Sequence, residues 1–161
     1  MPSAKKTGST ESASKQLAAF IAKYDPAVAA LARTCRATMR KILPTANELV
    51  YDNYQFLAVG YSSTDRASDS LLSLAVSPKG VALCMHYGAH LPDPTTIMYG
   101  GGNQIRFVHL DGAKSLTAPA VRALIRAADA HGRVPLPRTG NGQLIIKAIS
   151  AKQRPRRPVK K

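Results

Sequence analysis

The sequence predicts an α+β domain: a two-layer sandwich in which an antiparallel sheet of about five strands carries helices on one face. Two observations support this prediction. Segments with helical periodicity lie at both ends of the central part of the chain, and strand-like segments follow one another between them. The length of 161 residues, with 45% hydrophobic and 20% charged residues, fits one globular domain and excludes a wholly disordered or fibrous protein.

Two helices are predicted before the sheet. Residues 13–23 place their apolar side chains at helical spacing. Asp25 followed by Pro26 is typical of a helix start, and the apolar residues of 28–42 recur every three or four positions until the helix ends before Pro44. The side opposite this apolar stripe is expected to face solvent, and it carries Arg33, Arg36 and Arg40.

The sheet is predicted from three segments, and a final helix follows them. Residues 48–62 indicate one or two strands, 104–110 another, and 115–130 the final helix. Residues 71–87 indicate a hairpin, because Ser77-Pro78-Lys79-Gly80 has the composition of a tight turn. Alternation in this hairpin predicts a buried face with Leu72, Leu74, Val76, Val81, Leu83 and Met85. The other face is open, shallowly covered or an interface, and it carries Ser73, Ala75, Ala82, Cys84 and His86.

The net charge of +14 is concentrated at the ends of the chain. Residues 24–131 carry ten basic and eight acidic residues, whereas 132–161 carry nine basic residues and no acid. We therefore predict a disordered segment over 1–12, the domain over 13–131, and an extended, proline-containing basic tail over 132–161. Within the tail, 143–149 is either a short strand or a docked segment.

Several sequence features predict a cytoplasmic protein. No apolar run is long enough to span a membrane. The polar N-terminus lacks the apolar segment of a secretory signal. Two cysteines, Cys35 and Cys84, are too few for a disulfide framework.

One motif has ligand types and spacing suited to a metal ion. Cys84, His86, His90 and Asp93 form a C-x-H-x3-H-x2-D cluster, in which thiolate and imidazole groups could hold zinc or iron. The alternative is a small buried thiol beside two ordinary histidines. The sequence predicts no certain cofactor.

A second candidate site surrounds Arg106. The turn Gly100-Gly101-Gly102 offers backbone N–H groups to an anion, or is simply a tight turn that needs positive φ. Arg106 requires a partner if it is buried, with Glu48 as the expected one, or it clamps a small anionic ligand. The candidate ligand-binding residues are Glu48, Tyr51, Gly101, Gly102 and Arg106.

The basic C-terminal residues suggest that the protein binds a polyanion. A flexible basic segment can neutralise nucleic-acid phosphates by counterion release, but this one contains no aromatic residue for base stacking. The candidate nucleic-acid contacts are Lys152, Arg154, Arg156, Arg157, Lys160 and Lys161.

Parts of the chain resemble the YdhG-like domain family. The resemblance is carried by residues 44–54, with Glu48 and Tyr51, and by VALCMHYGAHLPDP and GGGNQIRFVHL, with Gly88, Asp93-Pro94 and Arg106. It covers about residues 26–131. The resemblance implies a small α/β sandwich with an antiparallel sheet. Because one characterised member is similar to frataxin and is described as an intracellular iron chaperone, it also implies iron as a ligand.

Two functions are expected from these observations. Catalytic motifs are missing, so the first is a non-enzymatic module that binds or delivers a small ligand or metal ion through the open sheet face and the loop 86–106. The alternative is a nucleic-acid or polyanion-associated protein that binds through its basic tail. A homodimer through the open sheet face is a further expectation about partners.

Overall fold

The computed structural model describes residues 2–158, and side chains from Ser12 onward. Four helices and six strands make up its regular structure, with short 3-10 turns at Ala67–Asp69 and Gly88–His90. None of the helices in this part of the chain has the length and apolarity needed to cross a membrane. The helices are α1 Pro2–Ala22, α2 Pro26–Ile42, α3 Ala113–Thr117 and α4 Pro119–His131. The strands are β1 Asn47–Asp52, β2 Leu57–Ser62, β3 Ser70–Ser77, β4 Gly80–Met85, β5 Arg106–Leu110 and β6 Leu144–Ile149.

The strands form one open sheet in the order β5-β4-β3-β2-β1-β6. Consecutive strands from β1 to β5 pair antiparallel, which confirms the predicted α+β class. The sixth strand corrects the prediction of a purely antiparallel sheet, since β6 pairs with β1 in parallel. The helices pack on the sheet, with α1 against β6, α2 against β3 and β4, and α3 against β5.

The β3–β4 hairpin has the predicted turn and register. Ser77 pairs with Gly80, Leu74 pairs with Leu83, and Gly80 has a φ of 138°, which favours glycine. The six side chains predicted on one face are buried in the core between sheet and helices. On the other face Ala75, Ala82 and Cys84 are only partly buried, as expected of an open or shallowly covered face.

Helix α2 spans the predicted residues, whereas the predicted final helix is broken. Ala118 separates α3 from α4 with an extended backbone at φ −60° and ψ 140°. The cause is local, because the ring of Pro119 disfavours helical geometry in the residue before it. The packed part of α4 is still the predicted stripe, with Val121, Leu124, Ile125 and Ala128 buried.

Both ends of the chain differ from the prediction. Helix α1 has the bounds Pro2–Ala22, so it begins before the predicted helix over 13–23, and its buried side chains include Leu17 and Ile21. At the other end, the strand alternative for 143–149 is confirmed by β6. The chain enters β6 through Gly142, where a Cβ atom would overlap the backbone of Ala46.

Residues 150–158 also lie against the domain, so the predicted extended tail is corrected over this part. Ser150 N–H donates to the Asp52 carbonyl at 2.9 Å, and Arg154 N–H donates to the Tyr54 carbonyl at 2.8 Å. Arg156 is 5% exposed, and its Nη2 lies 2.9 Å from Asp52 Oδ1. The buried Asp52 carboxylate needs such a partner, which gives the segment a reason to dock.

Candidate functional site

Glu48 lies on the helix-facing side of β1, where it serves the fold. Its carboxylate accepts hydrogen bonds from Arg36 Nε at 3.0 Å and Nη2 at 2.8 Å, and from the Tyr61 hydroxyl at 2.9 Å. Arg40 Nη1 is 3.7 Å away. Two predictions are therefore corrected: Glu48 pairs with Arg36 rather than with Arg106, and Arg36 does not lie in solvent. The reason is that α2, which precedes β1, covers this face.

Asp52 is the second carboxylate on the same face of β1, and it is fully buried. It accepts from Lys23 Nζ at 2.7 Å and from Arg156 Nη2 at 2.9 Å. Burial alone would raise the pKa of Asp52, but hydrogen bonds from Lys23, Gln153 and Arg156 outweigh burial and lower the pKa. Both carboxylates are thus engaged inside the protein.

Arg106 is held by backbone carbonyls. Its Nη1 donates to the carbonyls of Gly101 at 3.2 Å, Gly102 at 3.1 Å and Ile105 at 2.8 Å. The turn therefore presents carbonyl acceptors to a guanidinium. The alternative of a tight turn fits, since Gly100 and Gly102 have φ values of 120° and 94°. Gly88 allows close approach, because a Cβ there would lie 2.6 Å from Arg106 Cβ.

Tyr51 lies on the opposite face of β1 from Glu48 and pairs with Ala58 of β2. Its hydroxyl is buried without a hydrogen-bond partner among the described residues, and burial raises the pKa of this phenol. The five predicted ligand-binding residues therefore do not meet at one site: Glu48 and Tyr51 lie on opposite faces, and Arg106 lies on a strand at the far edge of the sheet.

The predicted metal cluster is likewise not assembled. His86 Nε2 lies 3.0 Å from Ser73 Oγ, and burial lowers the pKa of His86 and raises that of Cys84. The His90 ring stacks on His131 with centroids 6.2 Å apart. Asp93 accepts from two backbone N–H groups. Within residues 2–158, no three or more His, Cys, Asp or Glu side chains are placed to hold a metal ion, so the iron implied by the resemblance has no donor set there.

Asp93 instead organises the loop between β4 and β5. Its carboxylate accepts from the N–H groups of Ile97 at 3.0 Å and Met98 at 2.9 Å, and its carbonyl accepts from Thr96 N–H at 3.1 Å. Ile97 and Met98 then pack against the core. This turn delivers Tyr99 to the sheet edge, where its N–H and carbonyl pair with those of Phe107 at 2.9 and 2.8 Å.

The open face carries a groove of about 410 Å³ at one end of the sheet. Its floor includes Ala75 and Ala82, which are cross-strand partners. The rings of Tyr99 and Phe107 form one wall, with centroids 5.7 Å apart and an angle of 28° between planes. We call this site the open-face groove, and its lining also includes Gln55, Phe56, Ser77, Lys79 and His109.

The predicted nucleic-acid residues have different surroundings. Lys152 and Arg154 are exposed, whereas Arg156 is buried against Asp52 and is not a candidate contact in this arrangement. Arg157 is exposed, and its Nε donates to the Lys23 carbonyl at 3.1 Å. Lys160 and Lys161 lie outside the described residues.

Sequence reasoning placed Ala75 and Ala82 on the open face and named the loop that contains Tyr99, but it did not single out the other residues that line the open-face groove. Phe107 and His109 carried a usable signal, because they alternate with the buried Val108 and Leu110 and so must face the other side of β5. Phe56 and Lys79 lie in the β1–β2 and β3–β4 turns. Tyr99 had no local signal, since its position depends on the turn that Asp93 makes.

Comparisons with known proteins identify no relative: no family model, curated protein or solved structure matches the chain.

Proposed function

We propose that this protein is a non-enzymatic binding module whose open-face groove holds a small molecule that combines a planar ring with a negative charge. The observation that supports this proposal most directly is the lining of the groove. Aromatic side chains stand around a floor of alanines, a lysine and a histidine lie at its rim, and no carboxylate lines it.

The aromatic side chains suit a planar ring. Tyr99 is 51% exposed and Phe56 is 36% exposed, so both rings present area that water now covers. The Tyr99 backbone is fixed by its two hydrogen bonds to Phe107, which reduces the entropy lost when a ligand ring stacks there. Ala75 and Ala82 leave depth between the rings, because each carries only a methyl group.

The lysine at the rim of the groove suits an anion. Lys79 is exposed in the β3–β4 turn, and its ammonium group is free to reach a ligand at the rim. His109 lies on the same face, but its Nε2 already lies 2.9 Å from the exposed Asp111 carboxylate, so Lys79 is the group that meets the anion. On the helix-facing side, the Asp52 carboxylate is paired with Lys23 and Arg156, so its charge is compensated within the protein.

The proposal is tested with ligands that carry the ring, the charge or both. Calorimetry of the full chain with adenosine monophosphate, adenosine and ribose 5-phosphate should give the tightest binding for the first, since it alone has both parts. Tyr99→Ala should weaken this binding, whereas Tyr99→Phe should retain it because the ring remains. Lys79→Gln should weaken the monophosphate more than adenosine. Absence of binding, or binding that Tyr99→Ala leaves unchanged, would overturn the proposal.

We also propose that the protein belongs to the YdhG-like family and is located in the cytoplasm. The YdhG-like resemblance is supported by the α+β sandwich and by the contact between Gly88 and Arg106, two residues of the resembling segments. We do not extend the function to iron, because Glu48 and Asp52 are held in ion pairs. Cys35 and Cys84 are both free thiols, which supports a cytoplasmic location.

A further inference from the structure

The open-face groove and the basic C-terminal segment meet at one end of the sheet. The β1–β2 turn supplies Gln55 and Phe56 to the groove. The preceding residue, Tyr54, accepts the N–H of Arg154 through its carbonyl at 2.8 Å, which fixes the basic segment beside the same turn. Two features that are far apart in the sequence therefore meet at the surface of one end of the sheet: the groove opens on one face, and Arg156 anchors the basic segment to Asp52 on the other.

We propose that this surface binds single-stranded nucleic acid, with a base stacked in the open-face groove and neighbouring phosphates at Lys79, Lys152 and Arg154. This inference rests on the proposed function, because the base is the planar ring and the phosphate is the negative charge. It adds a polymeric ligand and a second set of contacts outside the groove.

Exposed aromatic side chains favour a single strand over a duplex. Tyr54, Phe56 and Tyr99 are 49%, 36% and 51% exposed, and all three lie in or next to the groove. Unpaired bases offer their faces to such rings, whereas a duplex hides those faces in its own stack. The basic segment has no aromatic residue of its own, but the fold places these rings beside it.

The distribution of charge at this end also suits a phosphate chain. Lys152 and Arg154 are exposed, and their side chains make no ion pair among the described contacts. The buried Asp52 is compensated by Lys23 and Arg156, so its negative charge does not cancel theirs. Proteins that combine stacking rings with a track of basic residues bind single strands with an affinity that depends strongly on salt concentration.

The first experiment measures how affinity depends on ligand length. Fluorescence titrations of the full chain would use thymidine monophosphate, oligothymidylates of about two, four and eight nucleotides, oligouridylate of the longest length and a DNA duplex. Affinity should rise with length and should be higher for single strands than for the duplex. Oligodeoxyuridylate of the same length, compared with oligouridylate, identifies DNA or RNA as the preferred strand, because these two differ only in the 2′-hydroxyl.

The second experiment assigns the contacts. The pair Lys152→Gln and Arg154→Gln should reduce the slope of log affinity against log salt by about 1.4, which is two contacts at about 0.7 each for a single strand. The pair Arg122→Gln and Arg126→Gln removes the same charge from the exposed side of α4 and is the matched control. Tyr99→Ala should lower oligothymidylate affinity about fivefold or more, and Tyr99→Phe should preserve it.

The outcomes separate the two proposals. If the monophosphate binds but added nucleotides bring no gain, this inference fails while the proposed function stands. If neither the monophosphate nor any strand binds, both fail. Equal loss of slope in the α4 control pair, or duplex affinity equal to that of the single strand, would overturn the inference in favour of diffuse attraction between a basic protein and any polyanion.

Discussion

The two faces of the sheet differ in how their polar and aromatic side chains are buried and paired. On the helix-facing side, Glu48 and Asp52 are buried, and each is bound by at least two cationic side chains. On the other side, the Ser73 hydroxyl contacts His86 and the His109 ring contacts the exposed Asp111, and aromatic rings remain exposed at one end. The difference separates structure from binding: the charged groups that look most reactive in the sequence hold the helices and the C-terminal segment in place.

The Asp52 cluster shows why such groups are unavailable to a ligand. Its partners are Lys23, in the turn that follows α1, and Arg156 of the C-terminal segment, so the carboxylate joins two distant parts of the chain through β1. Removing one partner of a buried ion pair leaves a charge in a poorly solvated site, which is costly. A ligand that competed for Asp52 would have to displace those partners and would therefore act against folding.

The largest expected effect comes from deleting residues 132–161. The deletion removes β6 from the edge of β1 and takes Arg156 from Asp52. We expect a loss greater than that of one large core truncation, which is about 2–5 kcal/mol. Urea unfolding followed by circular dichroism measures it. A truncated chain as stable as the full chain would show that the segment is an appendage. It would also show that the buried Asp52 carboxylate does not need Arg156 as a partner.

A single core substitution should come next and should distinguish the faces directly. Leu83 is fully buried on the helix-facing side, so Leu83→Ala should reduce the free energy of unfolding by about 2–5 kcal/mol. His86→Ala, on the other face, should cost much less, and the exposed Tyr99→Ala should stay within about 0.5 kcal/mol. Equal losses at Leu83 and His86 in urea unfolding would mean that the two faces are wrongly assigned.

The sequence was sufficient to predict those elements whose structure is determined by neighbouring residues. The hairpin was predictable because the Ser77–Gly80 turn and the alternation around it require no distant information. The β6 pairing was not, since its partner β1 lies almost one hundred residues earlier in the chain. The partner of Glu48 was missed for the same reason: Arg36 reaches it only because α2 packs over this part of the sheet.

Prediction of the open-face groove would have required still more information about distant contacts. Its wall depends on a turn in which the Asp93 carboxylate binds two N–H groups, and this turn places Tyr99 against Phe107. In the sequence the same aspartate belongs to a metal-like spacing. The Asp93 carboxylate instead accepts hydrogen bonds from backbone N–H groups, and it therefore does not share a site with His86.

A smaller effect is expected from acid titration of the helix-facing side. The pKa of Asp52 is lowered in the folded protein, so the unfolded chain takes up this proton first as pH falls. The stabilisation is complete above the ordinary value of 3.8 and is lost as pH falls through the folded pKa. Urea unfolding below that value should therefore show a steeper loss for the wild type than for Asp52→Asn. Parallel profiles would contradict the ion-pair assignment.

The smallest effect belongs to His86 and occurs in a different pH range. Burial lowers the pKa of His86 below 6.5, although a backbone hydrogen bond to Ser70 partly opposes this. Its neighbours Ser73 and Cys84 bring no negative charge there, because burial raises the pKa of the Cys84 thiol above its ordinary value of 9.0. The unfolded chain thus binds the proton first when pH falls through 6.5, and the folded state loses stability towards the lower folded pKa.

His86→Gln isolates this contribution, since glutamine retains a polar side chain but does not titrate. Between about pH 7.5 and 5, the wild type should lose stability that the variant does not lose, as measured by urea midpoints at each pH. Asp52 remains ionised throughout this interval because its pKa is lowered from 3.8, so the helix-facing side does not contribute to the difference. A wild-type profile parallel to that of His86→Gln would place His86 in solvent and would make the open face more accessible than the contact with Ser73 implies.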